Sequence, residues 1–563
     1  NGPRTFGEPG TLTLEDGGRI SIGADGAAPP DLPIGYHQFA PAIGGPPVQV
    51  LASPGTCYLP DDLRTWGWAV QLYAARSRAS WGIGDLADLA TLGRWTAGLG
   101  GGVMMVNPLI AATPITPIEP SPYYPSSRRF RNPLFLRIED VPGAADAGAA
   151  LTAIGDRARA LNADRQIDRN RVFDLKLQAL ERLWARFGGD ACFDAYRRES
   201  APAVDQFGAY CTLAERHGRD WRRWPSEYRQ PTTAAVRDLI ANGPRVRFHV
   251  WVQWLLDDQL ARASRDVKVI QDLPIGLDIA GADAWCWQDL VAPGISVGCP
   301  PDEFNVDGQE WGLAPFVPRK LRAAGYGPFI ETIRATLRHA GGLRIDHVMG
   351  LFRLFWIPHH MGAKAGTYVR YPVDELLAIT AIESHRARAF IVGEDLGTVA
   401  PGSREILAER KLLSYRLLYF EPTPPEQFPE LALSGVTTHD LATIAGVWTD
   451  AAIDHARSAG VRPNLDGLAF LKDKLARLCD LPPTAPVEDV ILATHAALGR
   501  TPSRVLLATL DDALALPEQP NMPGTTTSWP NWSLALPVPL EEIQTASMPR
   551  EIAARLTRPR PPK

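Results

Sequence analysis

Short apolar runs recur along the chain from about residue 66 onward, and polar residues, Gly or Pro end each run. Stretches with the 3.6-residue periodicity of amphipathic helices separate the runs. Eight runs predict buried strands, at residues 68–73, 103–106, 267–270, 342–345, 389–392, 415–420, 435–438 and 504–510. Strands alternating with helices in this way predict either a closed (β/α)₈ barrel or an open doubly wound sheet.

Polar residues follow most of these runs, and their distribution distinguishes the two architectures. They are Asn107, Asp272, Asp346, Glu394, Glu421, Asp440 and Asp511. A barrel brings the carboxyl ends of all its strands to one rim, whereas an open sheet concentrates its site at one switch point. We therefore predict an α/β fold built on a (β/α)₈ TIM barrel.

The start of the chain has a different pattern. Leu12 and Leu14 alternate with polar residues before an Asp-Gly-Gly turn at 16–18, and Ile20 and Ile22 alternate after it. This pattern predicts a β-hairpin. We predict a small N-terminal β-rich domain over residues 1–60 and a barrel domain over residues 61–563.

The interval between the second and third runs is about 160 residues long, too long for a simple connection. One stretch inside it has apolar residues spaced for one helix face: Phe173, Leu177, Leu180, Trp184 and Phe187. We predict a largely helical insertion over residues 110–265.

Composition excludes several classes of function. A net charge of −5 and a pI near 6.2 argue against a nucleic-acid partner. No apolar stretch approaches the roughly 18 residues of a membrane span, so no membrane partner is expected. The six cysteines lie far apart without Cys-x-x-Cys pairs, which predicts reduced thiols in a cytoplasmic protein. No His-Glu-x-x-His motif occurs, and we expect no catalytic metal.

Two of the rim carboxylates have the setting of a glycosidic-bond site. Asp346 ends an apolar strand, and Arg344 lies two residues earlier on the same strand face. A neighbouring cation favours the ionised form that a nucleophile needs, so we expect Arg344 to keep Asp346 charged. Glu394 leaves another strand between Gly393 and Gly397, where a substrate can approach closely, and is the candidate acid/base.

A third carboxylate, Asp440, follows another strand beside His439. It is positioned to stabilise positive charge on a sugar ring, and the imidazole can bond to sugar hydroxyls. Three carboxylates on three strand ends predict a retaining enzyme that cleaves glycosidic bonds.

A set of short motifs runs through nearly the whole chain. They are Trp81-Gly82-Ile83-Gly84-Asp85, Ser121-Pro122-Tyr123, Asp272-Leu273-Pro274-Ile275-Gly276, Gly281-Ala282-Asp283-Ala284-Trp285, Pro300-Pro301-Asp302-Glu303-Phe304, Gly308-Gln309-Glu310-Trp311-Gly312, Leu343-Arg344-Ile345-Asp346-His347, Gly393-Glu394-Asp395-Leu396-Gly397, Thr438-His439-Asp440 and Asn521-Met522-Pro523-Gly524-Thr525. In type and order they resemble the motifs of the amylomaltases, the disproportionating 4-α-glucanotransferases of glycoside hydrolase family 77.

The resemblance implies an enzyme that transfers α-1,4-glucan segments between malto-oligosaccharides, without a cofactor, by double displacement. It implies that Asp346 is the nucleophile, Glu394 the acid/base and Asp440 the transition-state stabiliser. By the same matching, the residues that contact the substrate are Tyr123, Asp302, Gln309, Trp311, Arg344, His347, His439 and Asn521.

The residues leave two alternatives open. An α-glucan hydrolase uses the same carboxylates and passes the sugar to water, and spacing does not separate it from a transferase. A maltodextrin-binding protein on an inactive barrel is the other, although the intact carboxylates argue against it. One departure from the family pattern is Ser533, where Arg is usual, which puts a C-terminal ion pair in doubt.

Overall fold

The computed structural model describes residues 5–301, 307–397 and 399–558. Its strands are β1 Gly10–Thr13, β2 Arg19–Ile22, β3 Gly35–Pro41, β4 Val48–Ala52, β5 Thr65–Val70, β6 Val103–Val106, β7 Ile110–Ala111, β8 Ser127–Arg131, β9 Lys268–Leu273, β10 Leu277–Asp278, β11 Ile295–Cys299, β12 Gln309–Ala314, β13 Gly342–Ile345, β14 Arg353–Pro358, β15 Thr367–Arg370, β16 Phe390–Gly393, β17 Leu413–Leu417, β18 Ala432–Gly435 and β19 Val505–Thr509.

Eight parallel strands close into a barrel in the order β5, β6, β9, β13, β16, β17, β18 and β19, and β19 pairs with β5. Strands such as β6 and β16 are buried along their whole length, which explains why they are apolar without alternation. The predicted (β/α)₈ barrel is confirmed. An open doubly wound sheet is excluded because the ladder closes on itself.

Three predicted strands run past their observed C-terminal ends. The runs at 68–73, 415–420 and 435–438 each extend three residues too far, since β5, β17 and β18 end at Val70, Leu417 and Gly435. Leu72, Leu418 and Val436 lie just past those ends and are still buried. An apolar pattern reports burial, whereas a strand ends where its ladder hydrogen bonds end.

The helices cover the barrel and fill the long connection after β6. They are α1 Leu86–Gly98, α2 Ala149–Arg159, α3 Arg169–Trp184, α4 Ala191–Ser200, α5 Ala203–His217, α6 Ala234–Asn242, α7 Pro244–Ala263, α8 Ala282–Cys286, α9 Pro318–Ala323, α10 Gly327–Leu337, α11 Val373–Ala387, α12 Ser403–Glu409, α13 Ile444–Trp448, α14 Ala451–Ser458, α15 Leu465–Cys479, α16 Val487–Gly499, α17 Leu510–Ala513, α18 Leu540–Ile543 and α19 Ser547–Leu556. Of the helices in the described ranges, none is both long and apolar enough to cross a membrane.

Helices α2 to α7 lie between β8 and β9, so the predicted helical insertion is confirmed. Within α3, Phe173 and Leu180 are buried as the periodicity predicts. Phe187 lies beyond the end of α3 and stacks on Trp184 at 5.5 Å between ring centroids. The domain limits at residues 60 and 61 and the insertion limits 110–265 stay predictions.

The N-terminal β structure is a four-stranded antiparallel sheet in the order β2, β1, β3, β4. Its predicted hairpin is present, with Leu12 opposite Ile20 and Gly17 in the left-handed region at φ 90°. The sheet is held to the barrel helices through Glu383 of α11, which is 2% exposed. Glu383 accepts hydrogen bonds from Tyr36 Oη at 2.8 Å and from Arg334 at 2.8 and 3.0 Å.

A second sheet is antiparallel, in the order β10, β12, β11, β14, β15. Its strands belong to the connections that follow β9 and β13, so the sheet originates at the C-terminal rim of the barrel. This is the rim at which barrel enzymes carry their chemistry.

Replacing Glu383 with Gln is expected to loosen the N-terminal sheet, because a buried carboxylate that compensates guanidinium groups is lost. We expect a cost of about 2 kcal/mol, reduced from the cost of a fully buried pair because Arg334 is half exposed. Urea unfolding and limited proteolysis measure it. Asp374→Asn is the control, since Asp374 is 83% exposed and 3.7 Å from Arg410. Equal stability of the two variants would contradict the role of Glu383 in holding the N-terminal sheet to the barrel helices.

Candidate active site

Three predicted carboxylates lie at the C-terminal ends of the barrel strands β13, β16 and β18. Asp346 directly follows β13 and Glu394 directly follows β16, whereas Asp440 lies in the loop after β18. Backbone hydrogen bonds join these ends: Asp346 N donates to Leu273 O at 3.0 Å, and Glu394 N donates to Ile345 O at 3.0 Å. The hydrogen bonds of the barrel strands therefore fix the backbone positions of Asp346 and Glu394.

Arg344 is the central cation of this rim. It is 4% exposed and lies within β13, directly opposite Asp272 of β9 in the strand register. Its Nη1 donates to the Asp272 oxygens at 2.7 and 2.8 Å, and its Nη2 lies 2.9 Å from Asp346 Oδ1. Burial opposes the charge, but the two carboxylates raise the pKa of Arg344 well above its ordinary value.

Burial and the charge of Arg344 act in opposite directions on the pKa of the Asp346 carboxyl. Burial raises its pKa, Arg344 opposes the rise, and Asp272, Glu394 and Asp440 add to it, giving a pKa of about 7. Arg344 acts in the direction that the sequence predicts, because it lowers the pKa of Asp346, but burial has the larger effect and the net shift is upward. Asp346 therefore binds a proton at a higher pH than an exposed aspartate does.

Two backbone N–H groups hold both oxygens of Glu394. His347 N donates to Oε2 at 2.9 Å, and Leu396 N donates to Oε1 at 2.7 Å. His347 adopts a left-handed backbone with φ 45°, a conformation that costs a non-glycine residue free energy. This turn points its N–H at Glu394, so the strained conformation contributes to the orientation of the carboxylate.

Asp440 is held by two polar side chains. Asn521 Nδ2 donates to its Oδ1 at 2.7 Å, and His439 Nε2 lies 3.3 Å from its Oδ2. Burial opposes both charges, yet the pair lowers the pKa of Asp440 and raises the pKa of His439. Asp440 is thus an ionised carboxylate beside an imidazole that protonates readily.

Aromatic rings form a wall beside this pair. Tyr123 donates from its hydroxyl to Asp272 Oδ2 at 2.5 Å and stacks on His439 at 5.1 Å. Trp532 packs against Tyr123 at 5.3 Å and against His439 at 5.1 Å. Sequence reasoning missed Trp532, although it noted the neighbouring Ser533. Arg169 donates to Ser533 Oγ at 3.0 Å and to the Trp532 carbonyl, and so supports this segment.

Two further predicted contacts, Gln309 and Trp311, lie in the second sheet. Trp311 of β12 donates from Nε1 to Gln309 Oε1 at 3.1 Å and meets His347 edge-on at 5.7 Å. Asp302, also predicted as a contact, lies outside the described residues. Within the described part of the chain, no group of three or more His, Cys, Asp or Glu side chains is arranged to hold a metal ion.

Other rim residues have different roles. Asn107 Oδ1 accepts a hydrogen bond from Leu72 N at 2.7 Å, and Glu421 pairs with Arg416 at 2.9 Å. Asp511 lines a small cavity of about 30 Å³ that Asp272 and His439 also border. Asp272, noted only as a rim residue, proves to be a direct partner of both Arg344 and Tyr123.

Comparisons with known proteins identify the family to which the chain is similar. The family model described as 4-alpha-glucanotransferase, glycoside hydrolase family 77, matches residues 70–540. The 4-alpha-glucanotransferase of Mycobacterium tuberculosis is 41% identical over 94% of this chain and 81% of its own length. That of Haemophilus influenzae is 32% identical over 91% of this chain and 82% of its own length.

Solved structures give the same result. Amylomaltase from Corynebacterium glutamicum superposes with a TM-score of 0.88 and 30% identity, over 99% of this chain and 87% of the other. Amylomaltase from Streptococcus agalactiae has a TM-score of 0.71 at 18% identity, over 88% of this chain and 99% of the other, which shows a shared fold.

Replacing Asp440 with Asn is expected to lower the pKa of His439, because the carboxylate that favours the imidazolium is removed. NMR titration of ¹³C-labelled histidine side chains measures this change. His347 is the internal control, since burial lowers its pKa and Asp440 is not among the groups that shift it. A titration of His439 that is unaltered in the variant would contradict the ion pair.

Proposed function

This chain belongs to the 4-alpha-glucanotransferases of glycoside hydrolase family 77, and we propose that Asp346, Glu394 and Asp440 carry out its reaction. The enzyme is a 4-alpha-glucanotransferase, which transfers glucan. We propose that malto-oligosaccharides and longer α-1,4-glucans serve as both donor and acceptor. The cytoplasmic location expected from the sequence stays a prediction.

The observation that best supports the assignment is the different environment of each carboxylate. Arg344 holds Asp346 Oδ1, which leaves Oδ2 for attack on the anomeric carbon. Two backbone N–H groups hold Glu394, and each of its oxygens keeps a second lone pair for a proton. Asp440, whose pKa is lowered, supplies the fixed negative charge.

The first step is formation of a glucosyl-enzyme. The bond between Asp346 Oδ2 and C1 forms as the bond from C1 to the leaving 4-oxygen breaks, and Glu394 gives its proton to that oxygen. Positive charge that develops on the ring is stabilised by Asp440.

The second step passes the sugar to an acceptor. Glu394, now a carboxylate, takes the proton of an acceptor 4-hydroxyl, whose oxygen attacks C1 and releases Asp346. Two inversions at C1 retain the α-configuration. Water in place of the acceptor would give hydrolysis.

Substrate contacts are proposed from their positions beside these groups. Tyr123, His439 and Trp532 offer an aromatic and polar wall near Asp440. On the other side, Trp311 and Gln309 lie with His347, the residue whose N–H holds Glu394. Sugar rings bind by stacking and by hydroxyl hydrogen bonds, which these side chains provide. Asn521 contributes by holding Asp440.

Incubation with maltotriose tests the activity. A transferase produces glucose together with a ladder of longer chains, a hydrolase produces only shorter ones, and a binding protein leaves maltotriose unchanged. Asp346→Asn is expected to reduce product formation about a thousandfold or more while glucan binding persists. The control is Glu421→Gln, which alters a rim carboxylate paired with Arg416. An active Asp346→Asn variant would exclude Asp346 as nucleophile.

The pH dependence of kcat/KM tests the charge state of the nucleophile. Asp346 must be ionised to attack, and its pKa is raised to about 7, so kcat/KM should fall as the pH drops through neutrality. Asp272→Asn should move this acidic limb to lower pH, because Asp272 is one of the charges that raise the pKa of Asp346. An acidic limb near pH 4 in the unmodified enzyme, or an upward movement in the variant, would oppose this account.

A further inference from the structure

Asp395, the residue after Glu394, is a buried carboxylate that the reaction above does not use. It is 1% exposed. Its Oδ1 accepts a hydrogen bond from Tyr415 N at 2.9 Å, and its Oδ2 accepts from Ser414 Oγ at 2.7 Å. Arg404 donates two hydrogen bonds to Asp395, from Nε to Oδ2 at 2.9 Å and from Nη2 to the backbone carbonyl at 3.0 Å.

The hydrogen bonds that Asp395 accepts from Ser414 and Tyr415 extend the short pairing between β16 and β17. Between β16 and β17 only two residue pairs are in register, Val392 with Leu413 and Gly393 with Ser414. The backbone ladder therefore stops just before Glu394. The side chain of Asp395 continues the cross-strand bonding to Ser414 and Tyr415, so the segment that carries Glu394 stays attached to β17.

The attachment reaches Glu394 through the backbone. Leu396 N, the donor to Glu394 Oε1 at 2.7 Å, belongs to the peptide that Asp395 begins. A shift at Asp395 would therefore move Glu394 directly.

We propose that Asp395 is a positioning residue that holds Glu394 in the geometry needed for proton transfer to the leaving glucan. The proposal rests on the acid/base role proposed above for Glu394. Asp395 touches neither substrate nor reacting atoms in this scheme and acts through the backbone N–H of Leu396 and through β17.

The test separates proton transfer from nucleophilic attack by changing the leaving group. With maltotriose, the departing 4-oxygen needs the proton of Glu394. With α-maltosyl fluoride, the C1–F bond breaks as the Asp346–C1 bond forms, and fluoride leaves as an anion with little need of a proton. Fluoride release in the first turnover reports attack alone, and kcat/KM on maltotriose reports attack with protonation.

Asp395→Asn keeps the size of the side chain but places an amide where the acceptor of Arg404 and Ser414 was. We expect kcat/KM on maltotriose to fall about 10- to 100-fold, part of the full general-acid contribution, while first-turnover fluoride release changes less than about threefold. Ser414→Ala, which removes a single bond, should show the same selectivity more weakly and covers the case in which Asp395→Asn fails to fold.

Asp283 is a matched control because it is also fully buried and accepts the same three kinds of hydrogen bond. Its donors are Ser127 Oγ at 2.8 Å, Arg128 N at 2.7 Å and Arg129 Nε at 3.1 Å. Asp283→Asn should lower the melting temperature as much as Asp395→Asn does, but it should affect the reactions of maltotriose and of α-maltosyl fluoride equally. The proposal would be overturned if Asp395→Asn and Ser414→Ala reduced kcat/KM on maltotriose and fluoride release from α-maltosyl fluoride by the same factor.

Glu394→Gln separates this proposal from the assignment on which it rests. If Glu394 is the acid/base, this variant loses turnover of maltotriose and keeps its first-turnover fluoride release. If Glu394→Gln does not show this pattern, the acid/base assignment of Glu394 is wrong. If Glu394→Gln shows the pattern and the variants of Asp395 and Ser414 do not, the positioning role alone is wrong.

Discussion

The site depends on one guanidinium group that serves two carboxylates. Arg344 and Asp272 are register partners on adjacent parallel strands, so their side chains face each other inside the barrel near its rim. Asp346 follows two residues after Arg344 and shares the same cation. Taking charged groups out of water is costly, and a buried pair is tolerated only when its hydrogen bonds are satisfied. Tyr123 supplies a further hydrogen bond to Asp272.

Sharing the cation has an electrostatic consequence. Four carboxylates, Asp272, Asp346, Glu394 and Asp440, lie around one arginine. Burial raises the pKa of Asp346, and the other three carboxylates raise it further against the opposing effect of Arg344. Such a site is poorly compensated when empty and favours a ligand that develops positive charge, as a sugar ring does during glycosyl transfer. The fixed N–H donors at Glu394 and the ionised Asp440 need little rearrangement to meet that charge.

The barrel positions the carboxylates, and the connections between strands bring the groups around them. Tyr123 comes from the connection after β6, Trp311 from the second sheet, and Asn521 and Trp532 from the segment after β19. These pieces are far apart in sequence and meet only because every connection involved leaves the same rim. Trp532 has a left-handed backbone at φ 58°, another strained residue at this rim.

The sequence by itself determined the barrel, the helical insertion, the N-terminal hairpin and the three strand-end carboxylates. Periodicity and strand-end polarity depend on local order along the chain, so they can be read without coordinates. The family and its glucan transfer also followed from motif order. Strand ends at residues 70, 417 and 435 were misjudged because burial continues past the ladder. Only the tertiary structure decided that Arg344 is shared with Asp272, that Trp532 joins Tyr123 and His439, and that Asp395 ties Glu394 to β17. These contacts join residues 20 to more than 400 positions apart, and their distances depend on how the barrel closes.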